Sequence, residues 1–333
     1  LVQLGLATSF VNSNEVQIFE KIENAGFKVG AISPMNASNR LSDPKYFIPD
    51  PWTDTKPDNS FLSRSLASSI SQAVNDNSEE KLTFKTLLKL LIAFVMLVSP
   101  FKYFSMVKLA IISYRKSWRK ALFLDAFLHN VHMTLLKRKS PNFSVLFLNA
   151  GAHIQHHYFY NSRFINDESL KNPSWYIDED TDPFLEMLKV YDKIIGDTLK
   201  LEQYEVIIAT GLSQKPYEEL KFYYRLKDHA KFLNDLNISF SNVHPRMTRD
   251  FLVSFANNSD ALDAEKELDS LTDINGIKLF NEIDNRGKEL FVVLTYPYEI
   301  KSNTFIKVNN KQVLLLDYVT FVAIKNGEHQ SKG

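Results

Sequence analysis

The chain has 333 residues, 44% hydrophobic and 13% aromatic, enough for a sizeable core. Lys+Arg and Asp+Glu are both 39, so no overall basic field points to nucleic acid and no acidic excess points to a solvated tail. There are no cysteines, which excludes disulfides, thiolate zinc sites and cysteine nucleophiles.

The chain starts at Leu1 and ends in a loop-like stretch to Gly333, and reads as a fragment. No charged segment with an apolar core and cleavage site is visible, which favours the cytoplasm without fixing the compartment. The periodicity predicts a helix over 15–25 that stops at Gly26, then a strand over 27–33. Residues 43–60 are rich in Pro, Asp and Asn and read as an ordered loop. Residues 75–81 read as a connection. Residues 82–139 read as two or three helices, divided at Pro100. Leu87 to Val98 is apolar except for Lys89. A spanning helix needs about 20 apolar residues, so these twelve fit a buried or surface-lying helix, and no membrane span is expected. Arg115, Lys116, Arg119 and Lys120 bracket Trp118, as a solvated face or as an anion or membrane-surface patch.

Val145 to Leu148 reads as a buried strand, which Gly151 ends. A loop with three of the eight histidines follows: His153, His156 and His157. In open α/β sheets, ligands bind beyond the carboxyl ends of the strands. Asn149 and His153, four apart across this turn, can aim at one point, and His156 or His157 can add a ligand. Histidines that cap backbone groups or face water fit the same residues equally well. Asp182-Pro183 starts an amphipathic helix over 184–201. Residues 204–209 read as a second buried strand ending in a loop with Thr210, Ser213 and Gln214, which closes a parallel βαβ unit. Residues 216–236 read as a long helix.

From Ile238 the character changes. A strand over 251–255, a helix over 259–271 capped by Ser259, and a strand pair 277–280 with 290–294 form a small α+β block. Asn309-Asn310 joins two strands of a hairpin, 305–308 and 313–316, and 321–324 leads into a loop with His329.

The order of these pieces resembles the alkaline phosphatase superfamily, especially its phosphodiesterase, nucleotide pyrophosphatase and sulfatase-like branches. The resemblance rests on Asn149, on His153 four residues later, and on His329 in Asn326-Gly327-Glu328-His329. It implies an α/β three-layer sandwich with a mostly parallel central sheet. The core would comprise 1–236 and 305–333, with a helical insertion at 82–140 and an α+β subdomain at 237–304. It also implies one divalent metal at most, zinc or manganese, on Asn149, His153 and His329, or none at all, with His156 as a further ligand or general acid. His157, Thr210, Ser213 and Gln214 would contact a small-molecule or glycan phosphate or sulfate ester. The family's second metal site is missing its Asp and His, with Gly211 and Leu212 in their place. The nucleophile segment would lie before residue 1. A non-catalytic carbohydrate- or anion-binding protein on the same scaffold is the alternative.

Overall fold

The computed structural model describes residues 15–75, 84–116, 118–165, 167, 169–211, 213–246, 248–309 and 311–330. The chain is mixed α/β and divides into two compact units: Leu1–Ile154 with Asp182–Gly211, and Gln155–Thr181 with Leu212–Gly333.

The first unit is built on three parallel strands, β1 (Val29–Ile32), β2 (Tyr46–Ile48) and β3 (Phe143–Leu146), in the order β2-β1-β3. Helix α1 (Ile18–Asn24) puts Phe19 against Val29, Ala31 and Phe47 on one face. Helices α2 (Phe61–Asn75), α3 (Phe84–Leu97), α4 (Tyr103–Arg115) and α5 (Trp118–Lys139) surround Ile32, Tyr46 and Ile48 on the other. Alternation along each strand supplies both faces. β2 lies inside the stretch read as a loop, 43–60. All three of its residues are buried by pairing with β1, despite the Pro- and Asp-rich surroundings.

Gly30 sits between Tyr46 on one side and Ser144 on the other. With no side chain at 30, the Tyr46 ring crosses β1 and its hydroxyl meets Ser144 Oγ at 2.7 Å. Ser144 Oγ in turn lies 2.8 Å from His132 Nε2 on α5. Burial pushes the Tyr46 hydroxyl up and holds His132 down at about 4, so both are neutral at pH 7.

The histidine segment is helix α6 (Ala150–Tyr158), which corrects the loop expectation. Its first N–H groups are satisfied from other helices. Asp125 on α5 accepts from Asn149 N at 3.2 Å, from Ala150 N at 2.8 Å and from the Tyr191 hydroxyl at 2.8 Å. Gly151 N donates to that hydroxyl, also at 2.8 Å. Capping of this kind stabilises a helix that the sequence around Gly151 would break. Burial pushes the Asp125 carboxyl up to about 6, against the pull of these donors. Helix α7 (Pro183–Thr198) carries Tyr191, and its Asp182 cap accepts from Leu185 N at 2.8 Å. Residues 204–209 are not a strand: they join no ladder among the described residues, the Tyr204 hydroxyl donates to the Pro141 carbonyl at 3.1 Å, and Ile207 and Ile208 are exposed. The parallel βαβ unit expected there is therefore absent. A short apolar run alone does not specify a buried strand.

The second unit holds a two-stranded antiparallel ladder, β4 (Gln214–Leu226) with β11 (Val319–His329). It also holds a four-stranded antiparallel sheet of β5 (Asn242–Pro245), β6 (Asp250–Ser254), β7 (Glu282–Asn285) and β8 (Glu289–Val293), in the order β5-β6-β8-β7. Helices α8 (His229–Asp235) and α9 (Asn258–Ser270) pack Phe232, Leu233 and Leu268 onto Phe251, Phe280 and Leu290. The long helix expected over 216–236 is mostly strand β4. Tyr217, Phe222, Tyr223 and Tyr224 favour a pleated surface, and Pro216 is tolerated in a strand with a free edge. The helix proper starts only at His229, capped by Asp228. The strand expected at 277–280 makes one isolated bridge, Lys278 to Thr272, and β7 takes its place beside β8. Asn257, rather than Ser259, caps α9 by accepting from Asp260 N. The hairpin is present as β9 (Phe305–Val308) with β10 (Lys311–Leu314), and Asn310 lies outside the described residues. His329 stands on strand β11, not in a loop, because its backbone pairs with Gln214.

An alanine methyl at Gly30 would enter the Tyr46 ring. Gly30→Ala is expected to destabilise the first unit by about 1–3 kcal/mol or more, the cost of overpacking. Denaturant unfolding of the variant beside wild type, read at the midpoint, measures it.

Candidate functional site

The second unit brings one group of predicted residues together at the paired ends of β4 and β11. Gln214 faces His329 across the ladder, and Pro216 faces Gly327. Gly327 lets another segment in. A Cβ there would lie 2.6 Å from the Gln155 carbonyl oxygen and 3.1 Å from Gln214 Oε1, so no larger residue fits without a shift. Through this gap His156 Nδ1 donates to the Gly327 carbonyl at 2.8 Å.

That bond fixes the chemistry of the ring. A carbonyl only accepts, so the Nδ1 proton is held there and Nε2 of neutral His156 keeps its lone pair. This Nε2 is 3.2 Å from His329 Nε2, with the two rings nearly perpendicular at 86°. Gln214 Nε2 lies 3.4 Å from the same nitrogen. Beside it, Ser213 Oγ donates to Gln330 Oε1 at 2.7 Å, and Gln330 N donates to the Ser213 carbonyl at 2.9 Å. Lys215 and Glu328 form an ion pair of 3.0 Å at the next rung.

The support below this group is buried and polar. Asn326 is fully buried and exchanges two amide hydrogen bonds with Asn172, at 2.7 and 2.9 Å. Its Oδ1 also accepts from Tyr160 N at 3.2 Å. The Tyr160 hydroxyl donates to the Tyr217 and Glu219 carbonyls, each at 3.0 Å. His157 Nδ1 donates to the Ile324 carbonyl at 3.2 Å. Residues 156–161 are thereby held to both strands of the ladder.

Asn149 and His153 belong to the first unit, one helical turn apart, with His153 N donating to the Asn149 carbonyl at 3.1 Å. Thr210 is exposed in an irregular stretch of that unit. Among the described residues, no group of three or more His, Asp and Glu side chains is gathered as for a metal ion.

Sequence reading missed a second feature of this unit. The Arg249 guanidinium lies 3.9 Å from the centre of the Tyr223 ring, and Lys325 Nζ lies 5.5 Å from the same ring. Lys221, directly opposite Lys325 in the ladder, covers the Tyr217 ring at 4.1 Å. Arg249 Nε is buried with no hydrogen-bond partner among the described residues. Burial, and secondly the Arg249 charge, push Lys325 down to about 8. With 216–236 read as helix, Tyr223 and Lys325 had no reason to meet. Strand pairing is the signal that unites them.

No family model, curated protein or solved structure matches this chain.

Proposed function

We propose that this chain is a hydrolase of phosphate or sulfate esters, on a nucleotide- or glycan-type substrate, with His156 and His329 as its working pair. The observation that carries the reading is the 3.2 Å approach of two Nε2 atoms, one of which must be a bare lone pair. Two imidazoles on one tetrahedral zinc ion stand about 3.3 Å apart, given metal–nitrogen bonds of about 2.0–2.1 Å. Metal-binding histidines also characteristically donate their other ring N–H to a carbonyl or carboxylate, as His156 does to Gly327. These two imidazoles would supply two of the ligands of a single zinc or manganese ion, with the Gln214 amide adjacent. Such an ion supplies positive charge to the ester oxygens.

The chain's own residues do the rest. His156 Nε2 faces the metal with its lone pair, its ring held in one tautomer by the Gly327 carbonyl. Gln214 and Ser213 offer hydrogen bonds to the non-bridging oxygens of the ester. The three-layer, alkaline-phosphatase-like arrangement belongs to the same proposal. Its support is the three-stranded parallel sheet with helices packed on both faces.

The expected outcome is one equivalent of zinc or manganese in purified protein, measured by elemental analysis near neutral pH. Affinity should fall at least tenfold in His156→Ala and in His329→Ala, with loss of phosphodiester or sulfate-ester turnover. Metal content unchanged in both variants contradicts the proposal.

The second reading, a non-catalytic protein that binds an anion or an acidic carbohydrate, is favoured by Arg249 and Lys325 over one tyrosine ring. Lys325 is charged below about pH 8 and neutral above it. Sulfate or an acidic sugar should then bind more tightly at pH 7 than at pH 9. Calorimetric titration should show that difference shrink in Lys325→Gln. Equal binding at both pH values in wild type removes this reading.

A further inference from the structure

From Lys81 to Leu124 the sequence holds nine Lys and Arg residues and no Asp or Glu. Within it, α3 and α4 are joined by Val98, Ser99 and a tight turn at Pro100–Lys102, with a bend of 114° between them. One side of the pair is ordinary core: Ala93, Leu97, Val98 and Met106 pack against Phe127, Leu128 and Val131. The other side is where a surface helix should be polar. Here it is apolar. Leu88, Leu91, Ile92, Val95 and Met96 are exposed along α3, and Phe104, Val107, Ile111 and Tyr114 along α4. Each set recurs at three- and four-residue spacing, so each forms one stripe. Phe101, at the bend, is 97% exposed and Phe104 is 83% exposed.

Exposed apolar surface this continuous marks an interaction site. The charges identify what covers it. A second copy of this face would bring cations against cations, whereas anionic headgroups complement them. Lys108 on α4 and Lys120 at the start of α5 are both exposed. Helices of 14 and 13 residues rise about 20 Å, short of the ~30 Å hydrocarbon core. Among the described residues no single helix is long and apolar enough to cross a membrane. A strongly bent, apolar pair with basic flanks suits the plane of the interface instead.

We propose that the bent helix pair Phe84–Leu97 and Tyr103–Arg115 docks on an anionic lipid bilayer, with Phe101 and Phe104 entering the acyl boundary. The exposed stripes lie among the acyl chains and headgroups, and Lys108 and Lys120 pair with lipid phosphates, whereas Lys102 and Arg119 are already paired with Asp197 and Glu186.

The test is co-sedimentation of the full chain with vesicles of phosphatidylcholine alone or mixed equally with phosphatidylglycerol. Wild type should bind the mixed vesicles at least tenfold more tightly, and less so as salt is raised. The double variant Phe101→Ser, Phe104→Ser should lose binding at least tenfold while keeping the wild-type melting temperature, since both side chains are exposed. Lys108→Glu with Lys120→Glu should lose the preference for the anionic lipid and keep the fold. No sedimentation with either vesicle, or binding untouched by the Phe variant, overturns docking. Equal binding to both vesicles overturns the anionic assignment. A wild-type oligomer that dissociates in the Phe variant, without vesicle binding, gives the face to a second copy and overturns the proposal.

Discussion

The arrangement of the second unit depends on an absent side chain. Because residue 327 is glycine, the Gln155 carbonyl can approach β11 to a distance that any Cβ would forbid. That approach puts His156 within reach of the Gly327 carbonyl, and the carbonyl then decides which ring nitrogen carries the proton. His329 follows from the same register, two residues along the strand, with Gln214 opposite it. The buried Asn326–Asn172 amide pair, immediately before Gly327, fixes the strand and the Tyr160 backbone together. Unsatisfied, these buried amides would each cost about 1–3 kcal/mol, so the pairing is specific as well as stabilising.

The first unit uses the same device differently. Gly30 makes room for a ring rather than for a backbone, and the Tyr46 hydroxyl, Ser144 and His132 form a chain of contacts across the sheet onto α5. One turn up α5 from His132, His129 is also buried and held at about 4, mainly by burial. Asp125, one further turn up, satisfies the start of α6. Titratable groups that composition would place on a surface are here structural. Tyr46, His132 and Asp125 are placed by what they hydrogen-bond, not by contact with water.

Much of the helical part was legible in the sequence. Helix α1 with its strand, the division at Pro100 and α7 with its Asp182-Pro183 start stand where periodicity and caps place them, and α9 and the β9–β10 hairpin form with the α9 cap and the second hairpin strand each two residues earlier than expected. The failures share a cause. At 150–158, 204–209 and 214–226 the local pattern is weak, and distant partners decide: Asp125 and Tyr191 for α6, and β11 for β4. The run at 204–209 finds no strand partner among the described residues. Of the site, His156, His329, Gln214 and Ser213 were legible as chemistry-bearing residues, but their meeting was not. It required β4 to be a strand and β11 to extend to His329. The apolar stripe on α3 and α4 was legible as hydrophobicity, and only the fold reveals which side of each helix faces outward.

The central claim is that His156 presents a bare Nε2 to His329. Long-range proton–nitrogen NMR correlation of the histidine rings at pH 7 tests it most directly. The expected result is a His156 ring protonated at Nδ1 and bare at Nε2, with the Nε2 signals of both His156 and His329 moving together as zinc is added. A His156 ring protonated at Nε2, or Nε2 signals indifferent to zinc, would contradict it.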